Sequence, residues 1–245
     1  MTSVYGGIAL QMGGLRGRRH LLWQMGALML IVNAGFGPIT QPARAQTPQV
    51  EKPIKIVALG DSLTAGYLLA PQEAFPVVLG RVLKQRGYNV EMINAGVSGD
   101  TTAGGRERLA WAVPSDADAV ILELGANDAL RGLDPAAAKA NLTAIIETIR
   151  AQKTNILLAG MIAPRSLGDN YTQAFDAIFP ALAAKYSLPL YPVFLEATGL
   201  KPNLSLPDGL HPNAKGVEAI VAAILPKVEE LIAQVKARRA GAVKG

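Results

Sequence analysis

The sequence predicts one three-layer α/β domain, in which a parallel sheet is covered by helices on both faces. Short apolar runs that end in glycine or other turn residues alternate with segments of helical periodicity. This alternation is typical of βαβ units and of a parallel sheet. Of the 245 residues, 50% are hydrophobic and 18% are charged, so the chain can bury a large core. Its length suits a single domain of ordinary size.

Five short apolar runs are predicted as the strands of the sheet. The first three close on Gly60, Gly96 and Gly125, residues that favour turns. In chain order the predicted strands cover 54–60, 88–95, 119–124, 155–159 and 188–194.

Four segments are predicted as helices from their apolar periodicity and their caps. Asp134 is a favourable N-cap, and Pro135 suits the first helical position. Pro226 falls inside the last segment and is expected to bend or interrupt that helix. The predicted helices cover 75–83, 134–152, 171–186 and 217–235.

Residues 1–45 are predicted to be a cleaved signal peptide. A basic patch with the pair Arg18-Arg19 precedes an uncharged stretch at 21–39, and small residues flank Arg44 at the end of the segment. Cleavage is expected after Ala45, and an uncleaved anchor is the alternative. Export to a bacterial periplasm or beyond follows, by the general secretory route or by the twin-arginine route.

The rest of the chain has almost no net charge. Four of the 24 basic residues lie in the predicted leader, which leaves 20 basic against 19 acidic side chains. We therefore predict no nucleic-acid partner. The absence of cysteine excludes disulfides and thiolate chemistry. The predicted segments are the signal peptide at 1–45, a linker at 46–53, the folded domain at 54–238 and a basic tail at 239–245, which is expected to be a solvated, frayed helix end.

His211 is the only histidine outside the predicted leader. Histidine is the side chain best suited to move a proton near neutral pH. Asp208 lies three residues upstream, close enough for its carboxylate to reach the imidazole after one turn of backbone. The pair is half of a nucleophile, base and orienting set, so a nucleophile is expected elsewhere in the chain.

Polar, glycine-bearing turns follow the first three predicted strands, at 60–66, 98–102 and 125–128. The carboxyl ends of parallel strands meet at one edge of a sheet, where ligands bind. Ser62 leaves the first strand between small residues and is the candidate nucleophile. The turn is not a phosphate-binding loop, because no Gly-Lys-Ser/Thr follows. It is also not a Gly-x-Ser-x-Gly nucleophile elbow, because Thr64 stands where that motif has its second glycine.

Together, these blocks and the segment 208–211 resemble the SGNH (GDSL) hydrolase family over about residues 54–235. The blocks are most similar to its exported bacterial thioesterase/lysophospholipase/arylesterase branch. The resemblance implies a flavodoxin-like, five-stranded parallel sheet in the order 2-1-3-4-5, with no cofactor. The four residues that give the family its name fall, in chain order, on Ser62, Gly99, Asn127 and His211.

The resemblance implies hydrolysis of acyl esters, thioesters or lysophospholipids through an acyl-enzyme. Ser62 would be the nucleophile, His211 its base and Asp208 the group that orients the imidazole. The backbone N–H groups of Ser62 and Gly99, with the Asn127 side chain, would form the oxyanion hole. An O-acetylesterase acting on cell-envelope polysaccharide is the alternative. A non-catalytic binding protein is disfavoured because every member of the catalytic set is present.

We predict no metal site, although Asp61, Asp100 and Asp128 fall near the same edge. Their spacing does not match that of a known set of metal ligands, and these carboxylates are expected to form hydrogen bonds with the loops at this edge.

Trp111 is expected in the core. The partner is expected to be a small-molecule ester or thioester. After cleavage the protein is expected to be a monomer with no stable membrane span. Six residues are candidates for contact with an acyl chain, but they could equally serve only to pack their loops against the core. They are Leu130, Leu133, Ile162, Ala163, Pro164 and Leu167.

Overall fold

The computed structural model describes residues 52–242. The predicted signal peptide at 1–45 lies outside the described residues. Of the predicted linker at 46–53, only Lys52 and Pro53 are described. Within the described part of the chain, no helix is long and apolar enough to cross a membrane.

The five strands form one parallel sheet in the order β2-β1-β3-β4-β5, which confirms the order expected from the resemblance. Gly60, the last residue of β1, pairs in register with Gly96 of β2 and with Glu123 of β3. Three strands therefore end side by side, and the loops that follow them begin at the same edge of the sheet. The strands are β1 Ile54–Gly60, β2 Val90–Gly96, β3 Ala119–Glu123, β4 Asn155–Ala159 and β5 Leu190–Tyr191.

The fifth strand is much shorter than the predicted 188–194. Pro189 and Pro192 flank its two residues. Proline has no N–H to donate to a neighbouring strand, so the ladder cannot extend through either position.

Helices cover both faces of the sheet. On one face α2 and α9 contact each other and the sheet, and on the other α6 contacts β4, α3 and α8. The core between the layers includes the fully buried rings of Phe75, Phe175, Phe179 and Phe194. The α-helices are α1 Ser62–Ala65, α2 Phe75–Gln85, α3 Thr102–Glu107, α4 Leu109–Ala112, α5 Ala126–Leu130, α6 Pro135–Ala151, α7 Asp169–Asp176, α8 Ile178–Tyr186 and α9 Ala214–Ala242, with 3-10 turns at Pro71–Glu73 and Arg165–Leu167.

Proline has different effects in two of the predicted helices. The single helix predicted at 171–186 is divided into α7 and α8 at Ala177. Pro180 cannot donate a bond back to Asp176 and instead occupies the first turn of α8, where no intrahelical donor is needed. By contrast, α9 continues without interruption through Pro226.

Of the predicted basic tail at 239–245, the structure describes residues 239–242, which are the last residues of α9, and 240–242 are exposed. Arg239 donates from Nε and Nη2 to Asp118 at 3.1 and 2.6 Å, and it also bonds the carbonyls of Lys52 and Pro53. The helix end is thereby fixed to the chain that enters β1.

Trp111 was also predicted wrongly, since its side chain lies on the surface with 72% exposure rather than in the core. Its ring lies 5.9 Å from the Cζ atom of Arg108, within the range of a cation–π contact.

Candidate active site

The candidate site is built where β1, β2 and β3 end. Ser62 is the first residue of α1, and Asp61 caps that helix by accepting a bond from the Leu63 N–H at 3.0 Å. A Cβ atom at Gly96 would lie 2.3 Å from the Ala65 nitrogen. Only glycine therefore lets the end of β2 approach the short helix that carries Ser62.

His211 and Asp208 complete a hydrogen-bonded chain with Ser62. Nε2 of His211 lies 2.8 Å from Ser62 Oγ, and Nδ1 lies 2.7 Å from Asp208 Oδ2. A carboxylate can only accept, so this arrangement assigns the Nδ1 proton to the Asp208 side and leaves Nε2 free to accept from the serine. Tyr67 packs on the imidazole, with ring centroids 4.6 Å apart. The three residues singled out in the sequence are thus brought together.

The Asp208 carboxylate is fixed by its own loop. Its Oδ1 accepts from the backbone N–H groups of His211 and Leu210 at 3.0 and 2.9 Å. These backbone bonds, together with the bond from the imidazole, lower the pKa of Asp208 to about 2. The group facing His211 is therefore ionised at neutral pH.

Gly99 and Asn127 lie on the neighbouring loops. Gly99 has φ +87° in a turn closed by the bond from the Asp100 N–H to the Val97 carbonyl at 3.1 Å. A β-turn of this kind requires positive φ at its third residue, which favours glycine. Asn127, on α5, donates from Nδ2 to Asp61 Oδ2 at 3.2 Å. An amide has two N–H donors, so one remains for another acceptor.

The three aspartates at this edge hold the loops together, as expected. Asp128 accepts from the Thr102 N–H at 2.8 Å and from the Thr102 hydroxyl at 2.6 Å. Asp100 pairs with Arg108, and Asp61 holds α1 and Asn127. In residues 52–242 no group of three or more histidine, cysteine or acidic side chains is placed to hold a metal ion.

A buried acid that sequence reasoning missed lies beneath the Ser62 turn. Glu123 is fully buried, and its Oε2 accepts from the Thr64 hydroxyl at 2.7 Å, while no partner reaches Oε1. Burial, with Asp61 nearby, raises the pKa of Glu123 well above its usual 4.5, and burial raises the pKa of Asp61 to about 6. The signal in the sequence was one acid in the otherwise apolar strand β3.

A cavity of about 530 Å³ opens beside Ser62 and His211. Four of the six candidate acyl-chain contacts line it, namely Leu130, Ile162, Ala163 and Pro164. The other two, Leu133 and Leu167, are not among its lining residues, so the wall was only partly predicted.

Several walls of the cavity are formed by residues that the sequence prediction did not name as acyl-chain contacts. Val193, Leu195 and Leu200 follow β5, and Leu210 precedes the candidate base. The signal was available, because the chain after the fifth strand leaves the same edge of the sheet as the other loops. The lining is mostly apolar, which suits a hydrocarbon chain.

Comparison with known proteins agrees with this geometry. The sequence profile of the GDSL-like lipase/acylhydrolase family matches residues 58–219. Esterase TesA of Pseudomonas aeruginosa is 33% identical over 209 residues, which cover 85% of this chain and 100% of that protein. Thioesterase 1/protease 1/lysophospholipase L1 of Escherichia coli is 36% identical over 159 residues, or 64% of this chain and 75% of that one.

Solved structures show the same likeness. The crystal structure of AlinE4, an SGNH-hydrolase family esterase, is 45% identical to this chain with a TM-score of 0.63. The match covers 74% of this chain and 98% of that structure. The fold described above is therefore shared with an esterase, over nearly the whole length of that esterase.

Proposed function

The chain belongs to the GDSL-like lipase/acylhydrolase family, and we propose that it hydrolyses carboxylic esters and thioesters through an acyl-enzyme on Ser62. One observation carries the assignment. The chain of bonds from Asp208 through His211 to Ser62, at 2.7 and 2.8 Å, ends at the mouth of an apolar cavity.

The first half of the proposed reaction acylates the serine. Oγ of Ser62 attacks the substrate carbonyl carbon while Nε2 of His211 takes the hydroxyl proton. The ionised Asp208 stabilises the imidazolium through its bond to Nδ1. When the tetrahedral intermediate collapses, the carbon–oxygen or carbon–sulfur bond breaks, and His211 protonates the departing alcohol or thiol.

The second half releases the acid. Water attacks the acyl-enzyme as His211 takes one of its protons, and collapse of the second intermediate returns that proton to Ser62 Oγ. Both intermediates carry an oxyanion. The backbone N–H groups of Ser62 and Gly99 and the free N–H of Asn127 are its proposed donors.

The cavity supports an acyl chain as the group that is held. Its walls are mostly apolar, include Leu130, Ile162, Leu195 and Leu200, and offer few partners for the hydroxyl groups of a sugar. The relatives named above are an esterase and a thioesterase/lysophospholipase. Neither observation favours the alternative of a polysaccharide O-acetylesterase. A monomer acting on a small-molecule substrate is the corresponding proposal for partners.

The assignment is tested with Ser62→Ala and a matched control, Ser115→Ala, which replaces an exposed serine elsewhere in the chain. The first variant is expected to lose hydrolysis of p-nitrophenyl esters and covalent labelling by a fluorophosphonate, and the control should keep both. Activity or labelling that survives Ser62→Ala refutes the proposal. With the wild-type protein, a series from acetyl to long acyl chains tests the substrate class, because activity confined to acetyl would exclude an acyl-chain cavity.

We also propose export with cleavage of the signal peptide after Ala45. The support is the basic, then uncharged, then small-residue pattern of residues 1–45. Protein recovered from a periplasmic fraction should begin at Gln46. An intact N-terminus on that protein would contradict cleavage.

A further inference from the structure

Arg108 is a buried arginine that joins three segments at the edge of the sheet that carries the site. Its side chain is only 7% exposed. Nε donates to Asp100 Oδ2 at 2.5 Å, Nη1 to the Ala95 carbonyl at 2.8 Å and Nη2 to the Gly60 carbonyl at 2.8 Å. The ring of Trp111 lies on it from the solvent side. One side chain therefore bonds the ends of β1 and β2 and the loop that follows β2.

Two of these acceptors adjoin the backbone donors of the proposed oxyanion hole. Gly60 lies two residues before Ser62, and Asp100 directly follows Gly99. The guanidinium is thus a bridge between the turn that carries the nucleophile and the turn that carries the second N–H donor. Arg131 bonds the Gly99 carbonyl at 2.8 Å but makes no such bridge, since it reaches only one of the two turns.

The chemistry of the bridge requires arginine. A guanidinium offers five N–H donors in a planar fork, so it can satisfy a carboxylate and two carbonyls that point at it from different directions. A lysine ammonium is a compact point charge and cannot reproduce three such bonds at these separations. The buried charge of Arg108 is balanced by Asp100, with which it pairs.

We propose that Arg108 is a positioning residue for the oxyanion hole, because its bonds fix the Ser62 turn relative to the Gly99 turn. The inference rests on the function proposed above and adds a residue to it. A misplacement of about 1 Å can cost on the order of 10²-fold in rate. The acyl-chain cavity does not include Arg108, so the loss is expected in kcat and not in KM.

A matched control exists elsewhere in the same molecule. Arg239 also pairs with an aspartate and bonds two carbonyls, but it does so beside Asp118 and Pro53, at the edge where β1 and β3 begin. Losing that bridge should lower stability without reaching the site. Comparing the two arginines separates positioning from general support of the fold.

The experiment measures kcat and KM for p-nitrophenyl acetate and octanoate, and urea unfolding, for Arg108→Lys and Arg239→Lys. Both variants are expected to unfold at lower urea concentration than the wild type. Arg108→Lys should lose about 100-fold in kcat with KM within threefold of wild type, and Arg239→Lys should keep kcat within threefold. The inference is overturned if Arg108→Lys keeps wild-type kcat, or if Arg239→Lys loses as much.

If Arg108→Lys does not fold, Asp100→Asn makes the same test, since it keeps the side-chain volume and removes the charge that pairs with the arginine. A fall of about tenfold in kcat at constant KM is expected, and an unchanged kcat overturns the inference. Failure of the proposed function would look different, because then Ser62→Ala would leave hydrolysis intact.

Discussion

Asn127→Ala tests the oxyanion hole at its only side-chain donor among those proposed. One N–H of the amide is committed to Asp61 at 3.2 Å, and the other is available to an oxyanion. Removal of one such donor costs about 10²–10³ in kcat, or about 2.7–4 kcal/mol of transition-state stabilisation. The bond strengthens as charge develops on the oxygen, so KM is expected to stay within a few-fold of wild type.

The same substitution has a second effect that depends on pH. Burial raises the pKa of Asp61 to about 6, and the bonds from the Leu63 N–H and from Asn127 oppose that rise. Without Asn127 the folded-state pKa is expected to rise further. Because the folded pKa exceeds the ordinary 3.8, the stability linked to Asp61 is complete below about pH 3.8 and is lost as pH rises through the folded pKa.

Asn127→Ala should therefore lose more stability at pH 8 than at pH 5. At pH 8 the lost bond is one to a charged acceptor, which is worth about 1.5–3 kcal/mol. Steady-state kinetics with p-nitrophenyl butyrate and urea unfolding at both pH values measure the two effects. Asn141→Ala, which removes an amide bonded to Thr102, is the control. A kcat within threefold of wild type would refute oxyanion donation, and equal stability losses at both pH values would refute the account of Asp61.

Two further predictions concern the cavity and the buried acid. Val193→Phe fills part of the cavity and should lower kcat/KM for dodecanoyl esters at least tenfold relative to acetyl esters. Val77→Phe, on the exposed side of α2, is the control and should leave that ratio unchanged. Equal effects of the two substitutions would contradict the assignment of the cavity. Burial raises the pKa of Glu123 well above 4.5. The wild type therefore loses stability as pH rises above 4.5 and through the raised pKa. Glu123→Gln cannot ionise and does not lose stability in this way. The stability of Glu123→Gln relative to wild type should therefore increase from pH 5 to pH 8 in urea unfolding, and a constant difference would argue against a buried, protonated acid.

Much of the fold and the centre of the site could be predicted because the signals are local. Asp208 and His211 are three residues apart, so one turn of chain brings them together. Ser62 follows a strand that the apolar pattern marks clearly, and the register of Gly60 with Gly96 and Glu123 places the loops of three strands at one edge. Alternating strands and helices indicate a parallel sheet, and the family resemblance supplies the order of its strands.

The parts that were missed depend on contacts between distant segments. Leu133 and Leu167 are apolar and close in sequence to true cavity residues, but only the packing of their loops decides which side chains face the cavity. The sequence pattern also gives no sign that Arg108 and Arg239 bridge distant segments, because many of their acceptors are backbone carbonyls. A carbonyl is present at every residue, so its availability is a property of the fold and not of the residue type.

The charge balance at the edge that carries the site explains why it needs Arg108. Asp61, Glu123, Asp100 and Asp128 all lie beside a site where a negative oxyanion is proposed to form, and unpaired carboxylates there would oppose it. Each is neutralised or held differently: burial favours the protonated form of Glu123, Arg108 pairs with Asp100, and Thr102 donates twice to Asp128. Burial raises the pKa of Asp61 to about 6, and Asp61 accepts a bond directly from Asn127, the proposed oxyanion donor. The ionisation of Asp61 therefore acts directly on the side chain that is proposed to donate to the oxyanion.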